Sequence, residues 1–176
     1  MKEEIRILGL SAPCQPSFKP YVVGAVFRGN LWLDAILTCT LQGSRRKYLP
    51  NLAEAIRMLK QYSQIRAAIF SRENVLPLRF EDFRALTKIV DFPVLAICKE
   101  PHPELVKRHE IVFMTQNKVP VPVWVGAYKE HERVNEILSL GRRNESHLPE
   151  AVRAAELIAD GLPKSGALRR AESSNP

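Results

Sequence analysis

Tyr21-Val-Val-Gly-Ala-Val-Phe27, Arg28-Gly-Asn30 and Leu31-Trp-Leu-Asp-Ala-Ile-Leu-Thr-Cys-Thr-Leu41 together decide the fold. Two runs rich in Val, Ile, Leu and Thr flank a short turn in which Gly29 and Asn30 tolerate positive φ. That pattern predicts an antiparallel hairpin. Working back from it, Ile5 to Leu10 reads as a short, mostly buried strand. A polar, proline-containing loop from Ser11 to Pro20 joins that strand to the hairpin. Working forward, Gln42-Gly-Ser-Arg-Arg-Lys47 is a polar, basic turn. Pro50 suits the first turn of a helix, and Leu52, Ile56 and Leu59 recur at helical spacing, so an amphipathic helix is expected over about 50–62.

The rest of the chain alternates. Arg66 to Phe70 reads as a strand. A helix over about 80–90 sets Phe83, Leu86 and Ile89 on one face, and Pro93 to Cys98 is an apolar run of the kind buried on both faces of a sheet. Glu104 to His109 begins another helix. Val119 to Val125 reads as an edge or irregular segment, because Pro120 and Pro122 have no N–H to give a ladder. Helices follow at Glu130 to Leu140, ending at Gly141, and at Leu148 to Leu162, opened by Pro149-Glu150. An antiparallel meander followed by right-handed helix–strand crossovers is the ribonuclease-H-like arrangement. The expectation is therefore one α/β domain over residues 1–162, a mixed sheet flanked by helices, with a disordered tail over 163–176.

Composition narrows the function classes. A chain of 176 residues with 45% hydrophobic and 26% charged residues is ordinary for one globular domain. No apolar run approaches the roughly 18–20 residues that span a bilayer, and the charged start runs directly into a strand, so a cytoplasmic protein is expected. Cys14, Cys39 and Cys98 are far apart and read as free thiols, two of them in apolar stretches. His102, His109, His131 and His147 have no zinc-like pairing; His102 and His109, seven apart, could share a helix face. Trp32 and Trp124 read as packing in or beside strands, with base stacking as the alternative. The net charge of +7 permits binding to nucleic-acid phosphates.

Four blocks carry a resemblance. Arg6-Ile-Leu-Gly-Leu10, then Val22-Val-Gly-Ala-Val-Phe-Arg-Gly29 with Leu33-Asp34, then Phe92-Pro-Val-Leu-Ala-Ile97, and finally Leu148-Pro-Glu-Ala-Val-Arg-Ala-Ala155 fall in register over roughly residues 4–162. In order and spacing the chain resembles the archaeal endonuclease dU family, relatives of endonuclease V. The resemblance implies an endonuclease V-like, ribonuclease-H-like fold. It also implies a family activity, metal-dependent cleavage of DNA near deoxyuridine in DNA repair.

That chemistry needs Mg²⁺, a hard ion held by carboxylates converging from neighbouring strand ends. The family's aspartate pair after the first strand falls here on Ser11 and Ala12. Its Asp-Gly turn after the third strand falls on Gln42-Gly43, followed by Ser44, Arg45 and Arg46. Its Asp-Gly after the fourth strand falls on Ser71 and Arg72. The next family acid corresponds to Asp82, and Glu73 lies close enough to the fourth strand to substitute. Asp82 also reads as a helix-start acid favoured by the helix dipole. Asp34 lies near the hairpin, at the wrong end. Arg45, Arg46, Lys47 and Arg72 would repel a cation and suit phosphate instead, either as nucleic-acid contacts or as a solvated turn.

Three readings follow. The first is a degenerate endonuclease dU-family protein, catalytically impaired, needing no cofactor and retaining DNA or a protein partner on the old substrate face. The second is an active Mg²⁺-dependent endonuclease that uses Glu73 and Asp82. The third is a structural or interaction subunit without a nucleic-acid role.

Overall fold

A computed structural model describes residues 5–13, 20–73, 78–116, 119–126, 131–142 and 148–162, without the side chains of residues 45, 115, 116, 119 and 131. The expected tail over 163–176, Cys14, His147 and most of the loop before Pro20 lie outside the described residues.

The hairpin forms as expected. Strand β2 (Tyr21–Arg28) turns through Gly29, at φ +60°, into β3 (Trp32–Thr40). Strand β1 (Arg6–Ser11) pairs antiparallel with β2 and parallel with β4 (Ile65–Phe70), which pairs parallel with β5 (Val94–Ile97). A second hairpin, β6 (Ile111–Gln116) and β7 (Val119–Trp124), adds to β5 through β7, giving a seven-stranded sheet in the order β3-β2-β1-β4-β5-β7-β6. The meander and the parallel strands match the expected ribonuclease-H-like arrangement.

Strand β7 corrects the expectation of an edge or irregular segment. It lies inside the sheet, between β5 and β6. Pro122 is tolerated there because of phase. Its carbonyl accepts from the Cys98 N–H (2.9 Å), so its missing N–H would also point toward β5. The β5–β7 ladder covers only Ala96↔Trp124 and Ile97↔Val123, so both prolines fall beyond it.

Helices cover both faces. Helices α1 (Arg45–Arg57) and α2 (Phe80–Val90), with the short α3 (Pro103–Lys107), lie over one face. There Leu52, Ile56, Phe83 and Leu86 meet Leu8, Leu10 and Phe70. The rings of Phe70 and Phe83 stack with centroids 4.4 Å apart. Helices α4 (His131–Leu140) and α5 (Glu150–Gly161) lie over the other face, where Ile137, Val152 and Ala155 meet Ile7, Ile69 and Leu95.

Two helical boundaries differ from the sequence reading. Helix α1 starts at Arg45, so the basic triplet forms its first turn rather than a loop, and Pro50 lies inside the helix. Gly43, at φ +82°, makes the turn that lets Ser44 precede it in extended conformation. Helix α3 is too short to carry both histidines: His102 precedes it, and His109 follows it at φ +56°.

Candidate functional site at the carboxyl ends of the parallel strands

Strands β1 and β4 run side by side and end together, since Leu10 lies opposite Phe70 and the Ser71 N–H donates to the Leu10 carbonyl (2.8 Å). The next side chains, Ser11 and Ser71, therefore emerge together. Their hydroxyl oxygens are 2.9 Å apart and buried. Alternation along the strands sends both toward the α5 face, because Leu10 and Phe70 point into the opposite core.

Helix α5 completes the site. It can lie against β1 because residue 9 is glycine: a Cβ there would sit 2.1 Å from the carbonyl carbon and oxygen of Ala151. From that crossing, five residues of helix advance about 7.5 Å and two residues of strand about 6.6 Å. The same geometry brings Glu156 level with the serines. The Ser71 hydroxyl lies near enough to the Glu156 carboxylate to favour its charged form. Either serine can donate in the Ser11–Ser71 bond. Burial pushes the Glu156 carboxyl above the usual carboxylate range; the nearby charge of Arg72 opposes the shift and that of Asp160 adds to it.

A second group stands beside the first. Glu73, two residues past Ser71, has a carboxylate 3.0 Å from Nε2 of His102 and only 16% exposed. The His102 ring packs edge-on against Phe80. Under Glu73 lies the thiol of Cys98, pushed up to about 12 by burial first and then by the Glu73 charge and hydrogen bond. Cys39 and Cys98 are both buried free thiols.

The other candidates lie elsewhere. Ala12 is buried in the α1–α2 core. Asp82 spends its carboxylate on its own helix, accepting the Arg79 N–H at 2.8 Å. Gln42 is exposed beyond the end of β3, two strands or roughly 10 Å across the sheet from β1. Arg46 and Lys47 are exposed on the first turn of α1. Arg72 lies near enough for its charge to act on Glu156. Asp34 is at the opposite end of β1, held by Arg6 (2.8 Å). Trp124 is buried and donates to Glu110 (3.1 Å), whereas Trp32 is 61% exposed, contrary to the expected packing.

Glu156 is the site residue that sequence reading missed. The available signal was the small-residue set Gly9, Ala151 and Ala155, which announces a close helix–strand crossing.

This donor set does not fit a firmly held Mg²⁺. The ion asks for charged oxygens, and the two strand ends offer neutral hydroxyls bonded to each other. Glu156 is one carboxylate, biased toward its protonated form and accompanied by Arg72. Glu73 is turned to His102 and Cys98. Among the described residues no three His, Cys, Asp or Glu side chains are grouped to hold a metal. The neighbouring stretches 14–19 and 74–77 contain no Asp or Glu in their sequence.

No protein-family model matches the chain. It is similar along nearly its whole length to archaeal UPF0215 proteins. The one from Methanothermobacter thermautotrophicus is 27% identical over 184 residues, covering 92% of this chain and 89% of the relative. UPF0215 protein Mbar_A0619 of Methanosarcina barkeri is 26% identical over 181 residues, covering 92% of each. Among solved structures, a protein of unknown function from Archaeoglobus fulgidus superposes with a TM-score of 0.68 at 17% identity, covering 88% of this chain and 96% of that one. The catalytic domain of human Endonuclease V gives 0.63 at 13% identity, covering 99% and 86%. Endonuclease V of Ciona intestinalis, in complex with an inosine-containing DNA, gives 0.60 at 9% identity, covering 95% and 86%. The fold is thus that of endonuclease V, of ribonuclease-H-like type.

Proposed function

We propose that the chain is a degenerate member of the endonuclease dU family, a cytoplasmic protein that binds DNA on the endonuclease V-like face and is impaired in metal-dependent cleavage. The observation that carries this reading is the buried Ser11–Ser71 hydroxyl pair, standing where two converging carboxylates would hold the ion. Arg72 beside it, and Arg45, Arg46 and Lys47 on the first turn of α1, supply charges suited to phosphate. An endonuclease V neighbour of the same fold is described with DNA, which supports the choice of ligand. The competing active-enzyme reading needs Glu73 and Asp82. Those carboxylates are already engaged, one by His102 and the other by the start of α2.

Incubation with deoxyuridine-containing DNA and Mg²⁺ or Mn²⁺ tests the proposal directly. No cleavage is expected, and cleavage abolished by Glu73→Gln with Asp82→Asn would establish the active reading instead. Fluorescence anisotropy with the same DNA is expected to show binding that weakens steeply with salt. Absence of binding at low salt would leave the chain as an interaction subunit without a nucleic-acid role.

A further inference from the structure

The sheet has two edges, and they are treated differently. Edge β6 is packed by α3 and α4. Among the described residues, edge β3 is packed by α1, while α5 packs against β1 and β2. The backbone phase of β3 follows from one bond. The Leu41 N–H donates to the Pro20 carbonyl (2.8 Å), so in the antiparallel alternation Cys39, Leu37 and Ala35 face β2. The N–H and C=O groups of Ile36, Thr38 and Thr40 therefore point away from the sheet. All three residues are exposed, Ile36 at 52%.

A bare edge of this kind invites another strand, and proteins guard such edges with Lys, Glu, Pro or bulges over their exposed part. From Leu31 to Leu41 the only charged residue is Asp34, already taken by Arg6 and Arg28 of the same chain. The register shift that opens this strand lies at its far end, at Val26/Phe27 of β2, and leaves Ala35 to Thr40 regular. Leu31, Trp32 and Leu33 extend the exposed apolar stretch beyond it.

We infer that β3 is the contact edge of a two-fold dimer of this chain, Thr38 lying opposite its own copy. In that register Ile36 faces Thr40 of the second copy and Thr40 faces its Ile36. On the exposed face the opposed pairs, Ile36 with Thr40 and Thr38 with Thr38, are all β-branched, the side chains that pair best across strands. The charge pattern selects the occupant. The chain carries +7, a net charge that opposes association of two copies, whereas residues 35–41 are uncharged and meet without like charges. A nucleic acid finds no cation on this edge. The two seven-stranded sheets become one continuous sheet, and each Ser11–Ser71 pair lies two strands in from the joint. The inference does not depend on the proposed function.

Sedimentation and light scattering of the full chain over a concentration series test it, with amide hydrogen exchange on the same samples. The expected result is a species of twice 20.0 kDa whose Ile36, Thr38 and Thr40 amides lose protection on dilution, while those of Leu37 and Cys39 stay protected by β2. Thr38→Lys sets two lysines face to face and is expected to weaken the dimer roughly 100-fold. Thr38→Pro removes an N–H that the β2–β3 ladder does not use and is expected to do the same. Met58→Lys, at another highly exposed apolar residue, is expected to leave the mass unchanged. A wild-type monomer throughout overturns the inference. So does a dimer that survives both Thr38 variants, one whose Ile36, Thr38 and Thr40 amides exchange equally at every concentration, or one that forms only when oligonucleotide is added. The exchange measurement uses wild-type protein, so the test stands even if a variant fails to fold.

Discussion

Gly9 and Glu156 show how one residue without a side chain places one with a charge. At Gly9→Ala the new methyl would fall 2.1 Å from the backbone of Ala151, so α5 must move. A loss of about 3 kcal/mol is expected in urea unfolding. The proximity of Ser71 and Glu156 is expected to be lost with it, since helix and strand set that register together. Glu156 itself carries a pH signature. Its folded-state pKa is raised, so between the unfolded and folded values the native state holds the extra proton. Stability is then highest at or below the unfolded pKa and is lost as pH rises through the folded pKa. Glu156→Gln should remove this component: the difference in urea midpoint between wild type and variant should grow from pH 4 toward neutrality, with the variant the more stable. The opposite sign, or no difference, would mean that burial does not dominate at this carboxyl. Such a residue is hard to see in the sequence, because its meaning depends on which strand α5 crosses and where. Ser11 and Ser71 are legible because they end strands, and strand ends can be read from where an apolar run stops.

Helix α1 opens against its own dipole, with Arg45, Arg46 and Lys47 in the first turn and no acidic residue there. Cations at the positive end of a helix oppose its dipole, each by roughly 0.3–1 kcal/mol at exposed positions. Arg46→Glu with Lys47→Glu should therefore raise the thermal midpoint while weakening DNA binding. Calorimetry and anisotropy on the same preparations check both. If binding is unaffected, the triplet is a solvated turn of helix and no more. The elements divide by how local their signals are. Helix α2, expected over about 80–90, is legible because Phe83 and Leu86 repeat at helical spacing and Asp82 suits its start. The β6–β7 hairpin was not, because Pro120 and Pro122 read as strand breakers. They are harmless only because β5 is four residues long and ends before reaching them. That fact belongs to a neighbour, not to the segment. The early start of α1 was missed for a related reason: Pro50 marks a first turn in isolation, yet the helix tolerates it exposed at its sixth position.

For the molecule as a whole, charge and topology matter more than any single contact. With a net charge of +7, DNA affinity should fall linearly in log–log form with salt, by a slope near 0.9 for each phosphate neutralised. The Arg46→Glu, Lys47→Glu variant should show a shallower slope if those side chains make such contacts. The last described helix closes on the first strand, Gly9 beside Ala151. This contact spans most of the chain. When the polypeptide is made from its N-terminus, β1 can pair with β2 at once, but Ile7 and Ala25 stay uncovered on the α5 face until α5 emerges. Such long-range closure slows folding and leaves a sticky intermediate. A fragment ending at residue 147 is expected to form hairpin structure by circular dichroism yet aggregate, and supplying α5 as a separate peptide should restore a soluble fold. A fold closed this late is lost with a single element, so termination shortly before α5 should be far more damaging in the cell than the loss of one helix would suggest.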